Sequence, residues 1–351
     1  MVRKAGAGKM SRDSQEFIGI TMGCPVGIGP EIILQFFAGR KNLGRYIPVV
    51  IGDIRHLNRC ARELKIGVDF VPWIPGASVD AGKLQVVEPA ASGGYCLDSK
   101  VLQWGEPNRD TGSAALAYIT EAVRLTRMGT LAGMVTGPIA KHAIQSAGCS
   151  FPGHTEMLAS LCRVKNYGMM MAGKRLKVSL VTIHIPVAQI SEQLSRDEII
   201  RVIHLTGETL IRDFALIRPR IAVAGLNPHS GETGLFGEEE IKIIAPALRA
   251  AAAGKWQLSG PHPPDTVFMK AFENKYDAVV AMYHDQGLIP FKLLHFEDGV
   301  NLTMGLPIVR TSVDHGTAYD IAGKGIASAS SLEAAFNMAA HIIGNRKKNL
   351  Q

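Results

Sequence analysis

The seven residues from Asp277 to Tyr283 (DAVVAMY) form an apolar, partly β-branched run, and His284 and Asp285 follow at once. Its length and content suit a strand of a parallel sheet covered on both faces. Open α/β sheets gather their ligands at the carboxyl ends of such strands. Beyond it come Lys292, Asn301 and Arg310, a cation, an amide and a second cation. That set suits an anionic group such as phosphate, because arginine can grip two oxygens while lysine supplies a point charge. The stretch closes with HGTAYDIAGKGIA, whose small residues let a ligand approach the backbone. Tyr276 to Ala327 reads as an active site.

The same pattern recurs upstream. Strand-length runs are predicted at Phe17 to Met22, Tyr46 to Gly52, Leu84 to Val87, Leu131 to Thr136, Leu176 to Ile183 and Ile221 to Gly225. Helices are predicted after Pro30, over 54–65, from Thr111 to Met128, from Ser195 to Leu216, from Phe236 to Ala253, near Thr266 and from Ser330 to Ile343. Ser195 with Glu198 three residues on makes a capping box at the fourth of these. Residues 88–110 are a connection punctuated by Gly and Pro. This alternation predicts a doubly wound α/β protein, and 351 residues suggest two domains.

Composition narrows the function. With 46% hydrophobic and 20% charged residues the chain is that of a globular protein rather than a disordered one. The net charge of +7 is spread along the chain without a basic stripe interleaved with aromatics, so a small anion explains the local cation pairs better than nucleic acid does. No apolar run approaches the roughly 20 residues that span a bilayer. Five cysteines (Cys24, Cys60, Cys96, Cys149, Cys162), without a CxxC pair, point to free thiols and a cytoplasmic setting. The polar residues 1–16 read as a disordered leader.

Several residues carry two readings. Glycines 23, 27 and 29 in GCPVGIGPEI follow a strand, but the spacing is not GxGxxG and no Walker lysine follows, so a tight strand-to-helix turn is preferred to a phosphate loop. Asp53 reads as a helix N-cap rather than a ribose ligand. Lys141, at the start of a helix, is by default a solvated lysine. His154 and Thr155 in FPGHTE stand at a helix N-terminus, where backbone N–H groups favour anions. His184, His229 and His284 each follow an apolar strand. Three strands of one sheet could bring them to a common edge as divalent-metal ligands, or they could be independent structural histidines.

The segments YHDQG, FK, GVN, GLPIVRTSVDHGTA, PGHTE and GLNPHSGE resemble the 4-hydroxythreonine-4-phosphate dehydrogenase family, from about Ile18 to the last helix. HGTAYDIAGKGIA is also similar to the cofactor loop of isocitrate and isopropylmalate dehydrogenases, whose fold that family shares. The resemblance implies two α/β/α domains with a cleft between them. Residues 17–150 and about 306–351 would form the first, with the cofactor loop, and about 151–305 the second, with metal and dimer contacts.

It further implies NAD- or NADP-dependent oxidation and decarboxylation of a 4-phosphorylated 3-hydroxy four-carbon acid. His184, His229 and His284 would hold a divalent metal (Zn2+, or Mg2+, Mn2+ or Co2+), with Asp285 beside them. Lys141, His154, Thr155, Lys292, Asn301 and Arg310 would contact the substrate. His315, Gly316, Thr317, Ala318 and Asp320 would contact the cofactor. A homodimer with a shared site is implied, His184 and His229 coming from one chain and His284 from its partner. The substrate would be 4-phosphohydroxy-L-threonine, of pyridoxal phosphate synthesis, or 4-phospho-D-threonate or erythronate, of sugar-acid catabolism. GLFGEEE and GPHPPDTVF look more like the phosphothreonate relatives. The alternatives are a dihydrodiol carboxylate dehydrogenase of the same family and a non-catalytic phosphate-binding module on this fold. One departure stands out: Cys24 occupies a position where the family usually carries an acid.

Overall fold

The computed structural model describes residues 15–40, 44–77, 79–80, 82–89, 97–98 and 102–349. Most of the expected leader, Cys96 and much of the 88–110 connection lie outside the described residues. The chain begins β1 (Glu16–Thr21), α1 (Gly29–Ala38), β2 (Tyr46–Ile51), α2 (Ile54–Glu63), β3 (Phe70–Pro72), β4 (Leu84–Val87), α3 (Arg109–Arg127) and β5 (Gly133–Thr136). It continues through α4 (Lys141–Ser146), α5 (His154–Leu161), β6 (Gly168–Ala172), β7 (Lys177–Leu180), α6 (Ile190–Gln193), α7 (Arg196–Arg212) and β8 (Arg220–Ala224). Then follow α8 (Ala245–Ala251), β9 (Gln257–His262), α9 (Pro264–Phe272), β10 (Ala278–Ala281), α10 (His284–His295), β11 (Val300–Met304), β12 (Arg310–Val313) and α11 (Ser330–Lys348).

One twelve-stranded sheet runs β3-β4-β2-β1-β5-β12-β11-β6-β7-β10-β8-β9. The strands from β3 to β12 are mutually parallel, as are those from β7 to β9. Between these blocks β11 and β6 pair antiparallel with their neighbours, so the sheet is mixed rather than parallel throughout. Apolar strands such as β4, β5 and β10 are buried along their whole length, as coverage on both faces requires.

Local chemistry sets the helix starts. Asp53 accepts the His56 amide at 2.7 Å and caps α2, as its position after a strand predicts. Asn108 and Thr111 form a reciprocal capping box on α3. At α7 only half of the expected box forms. Ser195 Oγ accepts the Glu198 amide at 3.2 Å, while the Glu198 carboxylate turns to Arg201. An arginine three residues on wins the carboxylate because the charged pair outbids a backbone amide.

Other expectations change too. Glu16, expected in the leader, begins β1 and pairs with Arg45 and Lys347, each at 2.6 Å. The helix expected from Phe236 starts later, with a wide π segment at Glu240–Ile244 before α8. Strands β3, β6, β9, β11 and β12 escape the sequence pattern. β6 (GMMMA) lacks β-branched residues, and β9 carries Gly260 and Pro261 at the sheet edge, where proline is tolerated. Helix α10 escapes it because Gly287 and Pro290 interrupt its pattern.

Candidate active site

β7, β10 and β8 are neighbours in the sheet and run parallel, so their carboxyl ends share one edge. His184 lies four residues past β7, and His284 opens α10 straight after β10. Their rings are 5.9 Å apart between centroids. Burial, Lys141 and His284 together lower the pKa of His184, which favours the neutral ring. Asp285 Oδ1 lies 2.6 Å from His284 Nδ1. With Nδ1–H donating to that carboxylate, Nε2 is left as an acceptor or ligand.

His229 is held elsewhere. It follows β8 in a loop of left-handed backbone, and its ring packs 6.4 Å from that of Phe236. It does not line the cavity that His184 and His284 share. Among the described residues no group of three or more His, Cys, Asp or Glu could hold a metal ion. One chain therefore brings together His184 with His284, not His184 with His229. Pairing β7 beside β10 puts those two imidazoles on adjacent strand ends.

The cavity beside them measures about 660 Å³. Arg310, on β12, lines its floor at 2% exposure. Its guanidinium donates to Thr136 Oγ1 at 2.7 and 3.2 Å, to Asn301 Oδ1 at 3.1 Å and to Thr303 Oγ1 at 2.9 Å. All of these acceptors are neutral. Burial lowers the Arg310 pKa to about 9, with Glu156 opposing the shift. His154 also lines the cavity, and its buried Nε2 has no hydrogen-bond partner. Burial and then Arg310 hold its pKa well below the ordinary imidazole value, so it is neutral. Lys292 reaches Asp314 Oδ1 at 3.5 Å, and Lys141, Thr155 and Asn301 complete this part of the wall.

His315 and Gly316 stand where this cavity meets a second one of about 390 Å³, which Ala318 also lines. Thr317 and Asp320 line neither. Thr317 instead gives its carbonyl to the Ile28 amide at 3.0 Å. The 315–327 segment is strapped to the start of α1, where the fully buried Glu31 accepts the amides of Ala327 at 2.8 Å and Gly323 at 3.2 Å. The glycine-rich turn before α1 thus supports this segment. Gly23 has a φ of +73°, and a Cβ there would meet Pro138 O at 2.4 Å. That close backbone packing bears out the tight-turn reading.

The PdxA family profile, described as pyridoxal phosphate biosynthetic protein PdxA, matches residues 45–339. A 4-hydroxythreonine-4-phosphate dehydrogenase of Desulforapulum autotrophicum is 49% identical over 93% of this chain and 96% of its own. A D-threonate 4-phosphate dehydrogenase of Pectobacterium atrosepticum is 40% identical over 92% and 98%. The crystal structure of a 4-hydroxythreonine-4-phosphate dehydrogenase from Klebsiella pneumoniae superposes with a TM-score of 0.85 at 42% identity, covering 95% of this chain and 99% of that one. This chain belongs to the PdxA family.

The chain is accordingly a dehydrogenase acting on a CH–OH group, on the mixed α/β, isocitrate dehydrogenase-like fold. One feature of this PdxA-family chain escapes sequence reading. Gln286, in YHDQG, accepts the Met282 amide and donates to Gly225 O, both at 2.7 Å, which ties the end of β10 to the end of β8. Its place beside His284 in the motif was the available signal. Cys24, the departure seen in the sequence, is buried, and its thiol accepts the Tyr319 hydroxyl at 3.3 Å. Burial raises the pKa of Cys24, so the thiol is a neutral acceptor. No described helix is long and apolar enough to cross a membrane.

Proposed function

We propose that the chain oxidises the secondary hydroxyl of 4-hydroxythreonine 4-phosphate, with NAD or NADP as hydride acceptor, and that the resulting β-keto acid loses carbon dioxide. The observation that carries this reading is Arg310: a buried cation whose hydrogen-bond partners are all neutral, with Glu156 acting on it only from beyond ion-pair distance, calls for an anion. A substrate phosphate supplies it. Lys292 and Asn301 flank that group, and the unpartnered Nε2 of His154 can accept from a protonated phosphate oxygen or a hydroxyl.

His184 and His284 fit a divalent metal, since one is held neutral and the other has its Nδ1 hydrogen engaged by Asp285. When bound, such an ion lowers the pKa of the substrate hydroxyl and stabilises negative charge on its oxygen. The chain's residues do the rest. Arg310 and Lys292 anchor the phosphate at one end of the substrate, which fixes the carbinol carbon relative to the histidines. The His315–Asp320 segment, tied to Ile28 at Thr317 O and followed by the Gly323 and Ala327 amides that Glu31 holds, presents backbone for the nicotinamide cofactor, with Gly316 leaving room for close approach. Hydride passes from the carbinol carbon to the nicotinamide ring, and the hydroxyl proton leaves to solvent or a base.

Large exposed apolar side chains support a homodimer: Ile289, Leu293 and Phe296 on or just after α10, and Leu235, Phe236 and Ile241 beyond the His229 loop. In that assembly His229 would come from the partner subunit and complete the set begun by His184 and His284. The lean toward phosphothreonate rests on GLFGEEE and GPHPPDTVF, and neither segment lines the cavity. The higher identity to proteins named for 4-hydroxythreonine 4-phosphate favours that substrate. Absorbance of reduced cofactor with 4-hydroxythreonine 4-phosphate, D-threonate 4-phosphate and D-erythronate 4-phosphate tests it, with NAD and NADP, before and after chelation and metal addition. Turnover of the first substrate, lost on chelation and restored by Zn2+, Mn2+, Co2+ or Mg2+, is expected. Preference for a sugar-acid phosphate would reassign the substrate, and full activity in verified metal-free protein would remove the metal.

A further inference from the structure

His229 sits in an unusual piece of backbone. Five consecutive residues, His229, Ser230, Gly231, Glu232 and Thr233, have φ between 42° and 76°. Four of them are not glycine, and each is strained there because Cβ crowds its own carbonyl. Such a run persists only where its surroundings over-determine it. The turn has its own backbone bonds, Ser230 N–H to Asn227 O at 3.1 Å and Phe236 N–H to Gly231 O at 3.2 Å, and its root is tied by one carboxylate. Glu240, 3% exposed, receives the amides of Leu226 and Asn227 on Oε1, each at 2.7 Å, and Asn227 Nδ2 on Oε2 at 3.0 Å. Glu239 takes the other hydrogen of Asn227 Nδ2 at 2.7 Å and is itself held by Ser191 Oγ.

The fit around Glu240 is close on every side. A Cβ at Gly231 would lie 2.7 Å from Glu240 Oε2, and one at Gly225 would lie 2.9 Å from Oε1. Glu240 also opens the π segment Glu240–Ile244, and such wide turns often mark functional sites. The GLFGEEE motif thus lines no substrate cavity; its last two glutamates grip the root of the His229 loop. From β8, Gly225 O is tied by Gln286 to the helix that starts with His284.

We propose that Glu240 is a positioning residue: its buried carboxylate locks the left-handed 229–233 turn and thereby presents the His229 imidazole to the metal site. This rests on the reading of His229 as a ligand. The loop-locking half and the ligand half are separable by experiment.

The test uses the full-length protein as Glu240→Ala, Glu240→Gln and His229→Ala. Two readouts are taken: amide hydrogen exchange of peptides covering 226–234, and Co2+ titration of metal-free protein followed by visible absorbance. In Glu240→Ala the loop should exchange at least about tenfold faster with the rest of the sheet unchanged, and the Co2+ Kd should rise about tenfold or more. Glu240→Gln should fall between, since its carbonyl keeps the Leu226 and Asn227 amides while its NH2 opposes Asn227 Nδ2. Wild-type loop exchange in a folded Glu240→Ala protein would overturn the proposal. If that variant does not fold, wild-type exchange in Glu240→Gln would overturn it equally. Faster exchange with unchanged Co2+ binding, while His229→Ala weakens Co2+, would make Glu240 merely structural and overturn the positioning role. Unchanged Co2+ binding in His229→Ala would instead remove His229 as a ligand, and the proposal would fall with that reading.

Discussion

The guanidinium of Arg310 rests against the hydroxyl of Thr136, 2.7 Å from Nη2 and 3.2 Å from Nε, so a buried cation on β12 is held by a neutral group at the end of β5. The arrangement fixes the direction of the charge without neutralising it. A carboxylate in the place of Thr136 would complete an internal ion pair and close the site to an incoming anion. Arg310→Ala is expected to weaken transition-state binding of the phosphorylated substrate by about 1.5–3 kcal/mol, roughly 10- to 150-fold in kcat/KM. Arg310→Lys should recover only part of this, since lysine cannot fork onto two oxygens. Steady-state kinetics with phosphorylated and unphosphorylated substrate decide the point, and equal losses on both would remove the phosphate role.

The His184–His284 pairing makes a complementation pattern specific. Each of His184→Ala, His229→Ala and His284→Ala should be inactive alone. Co-expressed His184→Ala and His229→Ala should recover up to roughly a quarter of wild-type activity, because about half the dimers are mixed and each of those keeps one intact site. Co-expressed His184→Ala and His284→Ala should recover none, since each of the mixed dimer's two sites then carries one lesion. Differently tagged, purified mixed dimers give the reading. Recovery in the second pair and not the first would restore the opposite division of ligands.

Glu31 offers a way to loosen the cofactor segment without touching the substrate. Glu31→Gln exchanges one acceptor oxygen for an NH2 facing a backbone amide, at a cost of about 1–3 kcal/mol at the strap. The KM for NAD should rise several-fold or more, with substrate affinity near wild type and an unchanged circular dichroism spectrum. NADH fluorescence titration provides an independent check. Unchanged binding of NADH would move the cofactor away from the 315–327 segment.

Asp213 is expected to contribute to stability in acid. Burial alone would raise its carboxyl pKa, but hydrogen bonds from Arg212 and Arg346 outweigh burial and hold it below the ordinary value. A lowered folded pKa means stability that is fully present above the unfolded value, about 3.9, and is lost as pH falls through the folded one. Asp213→Asn should cost about 3–5 kcal/mol at pH 7, because it leaves two arginines without their partner. The Tm gap from wild type should narrow below pH 4. A gap that stays constant from pH 7 to pH 3 would count against the ion-pair account.

The amino-acid sequence by itself determined the alternation of strand and helix, the caps at Asp53 and Ser195, and the run of motifs that marks the PdxA family. These are local facts, set by hydrophobic period and by side chains that reach their own backbone. The same reading missed β6, β11 and α10, whose Met-rich, polar or Pro-interrupted sequences become regular only when neighbouring strands supply partners. Tertiary structure alone decided which histidines meet. His184, His229 and His284 look equivalent in sequence, each following an apolar run. Strand order puts β10 between β7 and β8, and the left-handed turn after β8 carries His229 outside the cavity that the other two line. It likewise decided that the Arg310 guanidinium hydrogen-bonds to neutral oxygens. Partners 174 residues apart in the chain meet through sheet pairing, and no local periodicity encodes that pairing.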